Sequence, residues 1–236
     1  MGSEEGMSLT WTTIVESAQS QESTTALAGR STLTLQASPR VRHVPTVMRN
    51  PAEVPTLVTK HVDALCRGKL PWPLFLFGPA GTGKTCAALC LLDFVEEGTY
   101  HTCESFSQAI IDAQQGRLTT ESGREVSPTY LWTKEISKVD LFVLDELGSR
   151  RQVSDHQYNV VKSLLDYREG KPTVVISNLS LNAIREIYDD RVTSRLAAGT
   201  VIQVEGDDRR VQRSPSKASH APSHHEKLFP GDPRIG

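Results

Sequence analysis

The sequence predicts an α/β fold built on a parallel sheet, and three observations carry that expectation. Short apolar runs recur at Leu74–Phe77, Tyr100–Cys103, Val139–Leu144, Thr173–Ile176 and Val201–Val204. Segments of helical periodicity separate them, as right-handed crossovers between parallel strands require. Two of the runs end in polar motifs with definite chemistry: a glycine-rich loop follows the first, and a carboxylate pair follows the third.

Each element has its own warrant. An apolar pattern starting at Pro51 runs through Val58, Val62, Leu65 and Cys66 at helical spacing and stops at Gly68. Leu74–Phe77, bounded by Pro73 and Gly78, reads as a buried strand, and Lys84–Val95 as the helix after it. Tyr100–Cys103 is a weaker strand. Ser105–Arg117 is a helix with Phe106, Ala109, Ile110 and Ala113 on one face. Residues 118–127 read as a loop and Pro128–Ser137 as a helix. Val139–Leu144 is strongly apolar, and Asp155–Arg168 is amphipathic through Tyr158, Val161, Leu164 and Leu165.

Composition narrows the class. The 236 residues suit one domain of ordinary size with terminal excess. Residues 1–50 read as a Ser/Thr-rich arm and linker, with 14 Ser or Thr in the first 38 positions. Residues 51–210 form the domain, and 211–236 a disordered polar tail. Lys+Arg number 26 and Asp+Glu 28, so a net charge of −2 argues against coating DNA by bulk charge. Cys66, Cys86, Cys90 and Cys103 form no C-x-x-C pair, which disfavours a zinc ribbon and favours a reducing, cytoplasmic setting. The longest uncharged apolar stretch, Leu70–Gly83, is about 14 residues against the ~20 of a membrane span, so no membrane partner is expected. Cys86 and Cys90 read as small packing residues, Trp72 and Trp132 as core or interface aromatics. His220, His224 and His225 lack a scaffold for a metal.

The strongest motif is Gly78-Pro79-Ala80-Gly81-Thr82-Gly83-Lys84-Thr85, which fits G-x-x-x-x-G-K-[ST]. Glycines let backbone N–H groups wrap phosphates, and the helix opening at Lys84 aims its positive end at them. Lys84 would neutralise the β- and γ-phosphates of ATP, and the Thr85 hydroxyl would ligate Mg²⁺. The second motif is Leu141-Phe142-Val143-Leu144-Asp145-Glu146. There Asp145 would hold Mg²⁺ through water and Glu146 would polarise the attacking water.

Spacing adds a third constraint. Lys84 and Asp145 lie 61 residues apart, too far for one crossover, so a strand and helix fit between them in sequence. Thr173–Ile176 can then insert between the two motif strands in space, the additional-strand class of P-loop ATPase. Asn178, just past that run, reads alone as a turn residue. Set against the other motifs, it is placed to bond the lytic water or the γ-phosphate. Asp189–Leu196 carries Arg191 and Arg195, with Arg210 following. Guanidinium groups there would stabilise a transferring phosphoryl, and the competing reading is a surface helix with Asp–Arg pairs.

With these residues assembled, the chain resembles the DnaC/IstB-like branch of the AAA+ ATPases, which includes helicase loaders and helper ATPases of transposition. The resemblance rests on GPAGTGKT at 78–85, LDELG at 144–148, SDHQY at 154–158, ISNL at 176–179, DDRVTSRLAAGTVI at 189–202 and the DDRR ending at Arg210. It implies a five-stranded parallel sheet in the order 5-1-4-3-2 without a separate C-terminal lid domain. It also implies Arg195 as an arginine finger presented to the next subunit's ATP, Arg191 as an accessory, and Arg210, with Arg209 beside it, as the arginine reaching its own subunit's phosphates. The partners implied are further copies in an ATP-dependent oligomer, single-stranded DNA, and a replicative helicase or a transposase. Arg117, Arg124, Lys134, Arg150 and Arg151 are candidate DNA contacts. A nucleotide-binding adaptor with little hydrolysis stays open as an alternative, while the spacing and Asn178 disfavour a small-molecule kinase.

Overall fold

The computed structural model describes residues 54–93, 95, 97–120, 123–150 and 152–209. The expected N-terminal arm and C-terminal tail, Arg151 and Arg210 lie outside the described residues. The elements in order are α1 (Thr56–Cys66), β1 (Leu74–Phe77), α2 (Lys84–Leu92), β2 (Gly98–Thr102), α3 (Cys103–Gln114), a turn α4 (Pro128–Tyr130) continued by a π-helical Leu131–Ile136, β3 (Leu141–Leu147), α5 (Asp155–Tyr167), β4 (Thr173–Ser177), α6 (Leu181–Ile187), α7 (Asp190–Ala197) and β5 (Thr200–Gln203).

All strands pair in parallel in the order β2-β3-β4-β1-β5, which is 5-1-4-3-2 read from the other edge. Two apolar layers cover the sheet. On one face Leu74, Leu76, Val143, Val174 and Ile176 pack with the buried sides of α1 and α2. On the other, Phe75, Phe142, Leu144 and Val175 meet α3, the π-helical segment, α5, α6 and α7. Both faces being buried explains why the central strands read as continuous apolar runs.

Several boundaries differ from the sequence expectation. Cys103 opens α3 and does not belong to β2, because Thr102 and Ser105 form a capping box that starts the helix there. The expected Pro128–Ser137 helix is only one α-turn before it widens, and Ser137 N–H donates to Trp132 O five residues back. That wider closure brings Leu131 and Ile136, five apart and both buried, onto one side. The expected loop at 118–127 folds back on itself, with Thr119 bridging Glu125 in antiparallel fashion. Cys86 and Cys90 are buried on α2, as expected. Among the described residues no helix is long and apolar enough to cross a membrane.

Below the sheet, Arg168 is 2% exposed and ties three segments together. Its Nη1 donates to Ile136 O at 2.9 Å and Val139 O at 2.7 Å, its Nη2 donates to Pro172 O, and its Nε donates to Thr173 Oγ1 at 3.2 Å. Burial pushes its pKa down to about 10, against the opposing pull of Asp140.

Candidate functional site

The glycine-rich loop joins β1 to α2 under close constraint. Val204 N–H donates to Phe77 O at 2.7 Å, and a Cβ on Gly78 would sit 2.1 Å from Val204 O. Gly81 has φ 77°, and a Cβ there would sit 1.8 Å from Asp208 Oδ1, so any side chain would strain the backbone and displace Asp208. The segment after β5 thus lies on the loop, and Arg209 N–H donates to Gly81 O at 3.2 Å. Gly83 is the N-cap of α2, so the first helical N–H groups, which have no intrahelical partner, open toward the loop. Lys84, 5% exposed, donates from Nζ to Gly78 O at 2.8 Å and Pro79 O at 2.6 Å, which holds its charge inside the cradle. Thr82 Oγ1 donates to Pro79 O at 3.0 Å.

Beside this loop lies a cavity of about 390 Å³ lined by Pro55, Leu57, Val58, Gln203, Val204 and Glu205. Val204 borders both the cavity and Gly78.

The carboxylate pair stands at the end of β3, where the ladder is irregular. Leu144 pairs with Val175 and Leu147 with Ser177, so Asp145 and Glu146 together oppose the single residue Ile176. This is a β-bulge, with Glu146 at φ 62°. Non-glycine residues at positive φ carry strain and cluster at functional sites. The bulge turns Asp145 inward, at 5% exposure, and Glu146 outward. Asp145 gathers three donors: Thr85 Oγ1 at 2.7 Å and Tyr100 OH at 2.9 Å on Oδ2, and Glu146 N–H at 2.7 Å on Oδ1. Burial, and then the Asp145 charge, push the Tyr100 hydroxyl pKa far up, so it remains a donor.

This donor set fits Mg²⁺, a hard cation that prefers oxygen ligands and keeps several waters. The Thr85 proton is committed to Asp145, which leaves the hydroxyl lone pairs open to a cation. Asn178 follows β4 directly and is exposed, and β4 lies between β1, which leads into the glycine-rich loop, and β3, which carries Asp145.

Arg195 stands elsewhere. It lies on α7, five residues before Thr200, which pairs with Leu74 at the N-terminal edge of the sheet, whereas the glycine-rich loop leaves from the opposite edge. It pairs with Asp166, and more loosely with Glu169 at 3.7 Å. With Arg191, Arg168, Ser194 and Trp72 it lines a second cavity of about 580 Å³. Asp189 caps α7 by accepting from Arg191 and Val192 N–H, and Tyr158 OH donates to Asp189 at 2.6 Å. Among the proposed DNA contacts, Arg117 pairs with Asp112 at 2.9 Å and Arg150 with Glu104 at 2.5 Å, while Arg124 is exposed.

No protein-family profile matches the chain, and no curated protein sequence matches it. Among solved structures, the crystal structure of a DNA replication initiation factor aligns with a TM-score of 0.50 and 20% identity, over 64% of this chain and 46% of that one. The replication initiator DnaA bound to AMPPCP and single-stranded DNA aligns with a TM-score of 0.50 and 21% identity, over 64% and 46%. The fold is that of the AAA+ P-loop domain. The crystal structure of DnaI aligns with a TM-score of 0.45 and 19% identity, over 78% of this chain and 95% of that one. The chain spans just under half the length of the initiators it matches, so the likeness speaks to the fold alone.

Three features of this site and its surroundings were not legible from sequence. Tyr100 comes to Asp145 only through the β2–β3 register, which pairs Thr102 with Asp145 and sets Tyr100 two residues below. Asp166 and Glu169 meet Arg195 only when α5 and α7 pack. Arg168 reads in sequence as the end of an amphipathic helix, and only the 3.6-residue period at Val161, Leu164 and Leu165 hints that it faces inward.

Proposed function

We propose that this chain is an ATP-dependent helper of DNA replication of the DnaC type. It would bind and hydrolyse ATP between subunits to load or remodel a replicative helicase on single-stranded DNA. The observation that carries the reading is the 2.7 Å hydrogen bond from Thr85 to Asp145, which joins the glycine-rich loop to the carboxylate strand across the intervening β4.

The phosphates of ATP lie in the cradle of Gly78, Pro79, Ala80, Gly81, Thr82 and Gly83, where Lys84 exchanges its loop carbonyls for phosphate oxygens. The hollow between Leu57, Val58 and Val204 takes the base. Thr85 and Asp145 would hold Mg²⁺, which when bound would neutralise charge on the phosphate oxygens. Glu146, turned outward by the bulge, accepts a proton from the attacking water, and Asn178 orients that water. Arg210, which lies outside the described residues, would be the arginine that meets the phosphates of its own subunit. Arg195, at the far edge of its own sheet, is offered to the ATP of the next copy. Its pairing with two carboxylates, 26% exposed, keeps the guanidinium ordered at that edge. A DnaA of the same fold binds AMPPCP and single-stranded DNA, in keeping with these ligand classes.

Sedimentation of the Glu146→Gln variant tests the reading. With ATP and Mg²⁺ it is expected to assemble, to bind single-stranded oligonucleotides more tightly than without ATP, and to retain a replicative helicase. A chain that stays monomeric, with DNA affinity indifferent to ATP, would overturn it. Stimulation of a transposase in place of a helicase would move the assignment to the transposition branch.

A further inference from the structure

The Asp145 carboxylate has about four lone-pair sites, and three are taken by donors within the chain. Thr85 and Tyr100 fill Oδ2, and the Glu146 N–H takes one site on Oδ1. One acceptor site remains, on Oδ1. A carboxylate on a β-strand turns readily about its last side-chain bond, so which oxygen it presents depends on what holds the other. Thr85 anchors Oδ2 through its single proton, while its lone pairs stay open to the cation. The remaining anchor is Tyr100, 3% exposed on β2 and itself needing an acceptor for a buried hydroxyl.

We propose that Tyr100 is a positioning residue that locks Asp145 with Oδ1 toward the divalent cation. This rests on the reading of the site as an ATP and Mg²⁺ site. Tyr100 touches neither nucleotide nor cation and acts through Asp145. Its ring packs with the apolar face shared by Leu141, Val143 and α2, so the Phe variant keeps the packing and removes only the donor. Outer-shell partners of this kind are worth about 10- to 100-fold in metal affinity.

The test is the affinity of a fluorescent ATP analogue, read by anisotropy at graded Mg²⁺ and again in EDTA, for the parent chain, Tyr100→Phe, Asp145→Asn and the double variant. The expected result for Tyr100→Phe is a Mg²⁺ requirement raised at least about 10-fold, with affinity in EDTA unchanged. Adding Tyr100→Phe to Asp145→Asn should then change nothing further, because the tyrosine works through the carboxylate. Three outcomes overturn the proposal: a Mg²⁺ requirement like that of the parent, an equal loss with and without Mg²⁺, or additive losses in the double variant. A melting curve on each variant identifies a loss that comes from unfolding, which also counts against it. If the parent itself binds no nucleotide, the ATP-site reading fails and this one with it; a parent that binds beside an indifferent Tyr100→Phe sinks only the positioning role.

Discussion

Replacing Arg168 by leucine tests whether a buried cation holds the lower edge of the sheet together. Leucine keeps much of the stem's apolar contact and removes every donor, so Ile136 O, Val139 O, Pro172 O and Thr173 Oγ1 lose the guanidinium together. The Ile136 contact is fully buried, and those to Val139 and Pro172 are partly so. A buried unmet acceptor costs roughly 1–3 kcal/mol, and taking about 1 for each partly wet one gives a total near 3–5 kcal/mol. For a domain of this size about 1 kcal/mol moves the melting temperature by roughly 2–4 °C, so a fall of about 10 °C is expected by calorimetry or dye-monitored melting. Arg168→Lys should recover little, since a compact ammonium cannot reach four acceptors on two segments at once. Both variants melting within about 2 °C of the parent would show that water meets these carbonyls equally well, and the argument would fail.

Other expectations follow from the same geometry. His101 lies against Phe106 and Phe142, and burial pushes its pKa down to about 4. The unfolded chain takes up that proton near pH 6.5 while the folded chain does not, so stability should fall between about pH 7 and pH 4, by on the order of 3 kcal/mol. His101→Phe should remove that part of the slope in denaturant titrations run at several pH values. Gly81→Ala must strain a positive φ and push Asp208 away, so hydrogen exchange at the Arg209 amide should quicken and nucleotide affinity should drop at least about 10-fold, roughly 1.4 kcal/mol. Unchanged exchange there would mean that the strap does not depend on the loop. Arg195→Ala should leave nucleotide binding by the isolated chain intact and lower turnover at high protein concentration by about 10³-fold or more. Full turnover in that variant would remove the arginine from the reaction.

What was legible in the sequence was whatever depends on neighbours along the chain. β1 and β4 were placed to within a residue because strands buried on both faces show as unbroken apolar runs, here closed by Pro73 and Gly78 and by Asn178. The glycine-rich loop was legible because its chemistry is contiguous. β3 was harder. It starts at Leu141 and runs on through Asp145, Glu146 and Leu147, since a bulge lets a strand carry two charged residues without breaking its ladder. The end of β2 was misplaced because Thr102 serves as both last strand residue and helix cap. The π-helical turn was invisible, since Leu131–Ile136 fits an α-helical pattern until the five-residue spacing of its buried ends is known. Contacts such as Tyr100 with Asp145, 45 positions apart, follow from strand register, which no local pattern states.

β4 contributes no side chain to the clasp between Thr85 and Asp145, yet it stands between the two strands that bring them there. Its backbone keeps those strands two spacings apart, about 9–10 Å, so it works as a gauge block for the cleft. A slip of β4 against its neighbours by a single residue, roughly 3.3 Å, would open the clasp and shift Asn178 by the same distance. The width of this cleft is therefore machined by the most deeply buried of the described strands, and its tolerance is that of the core.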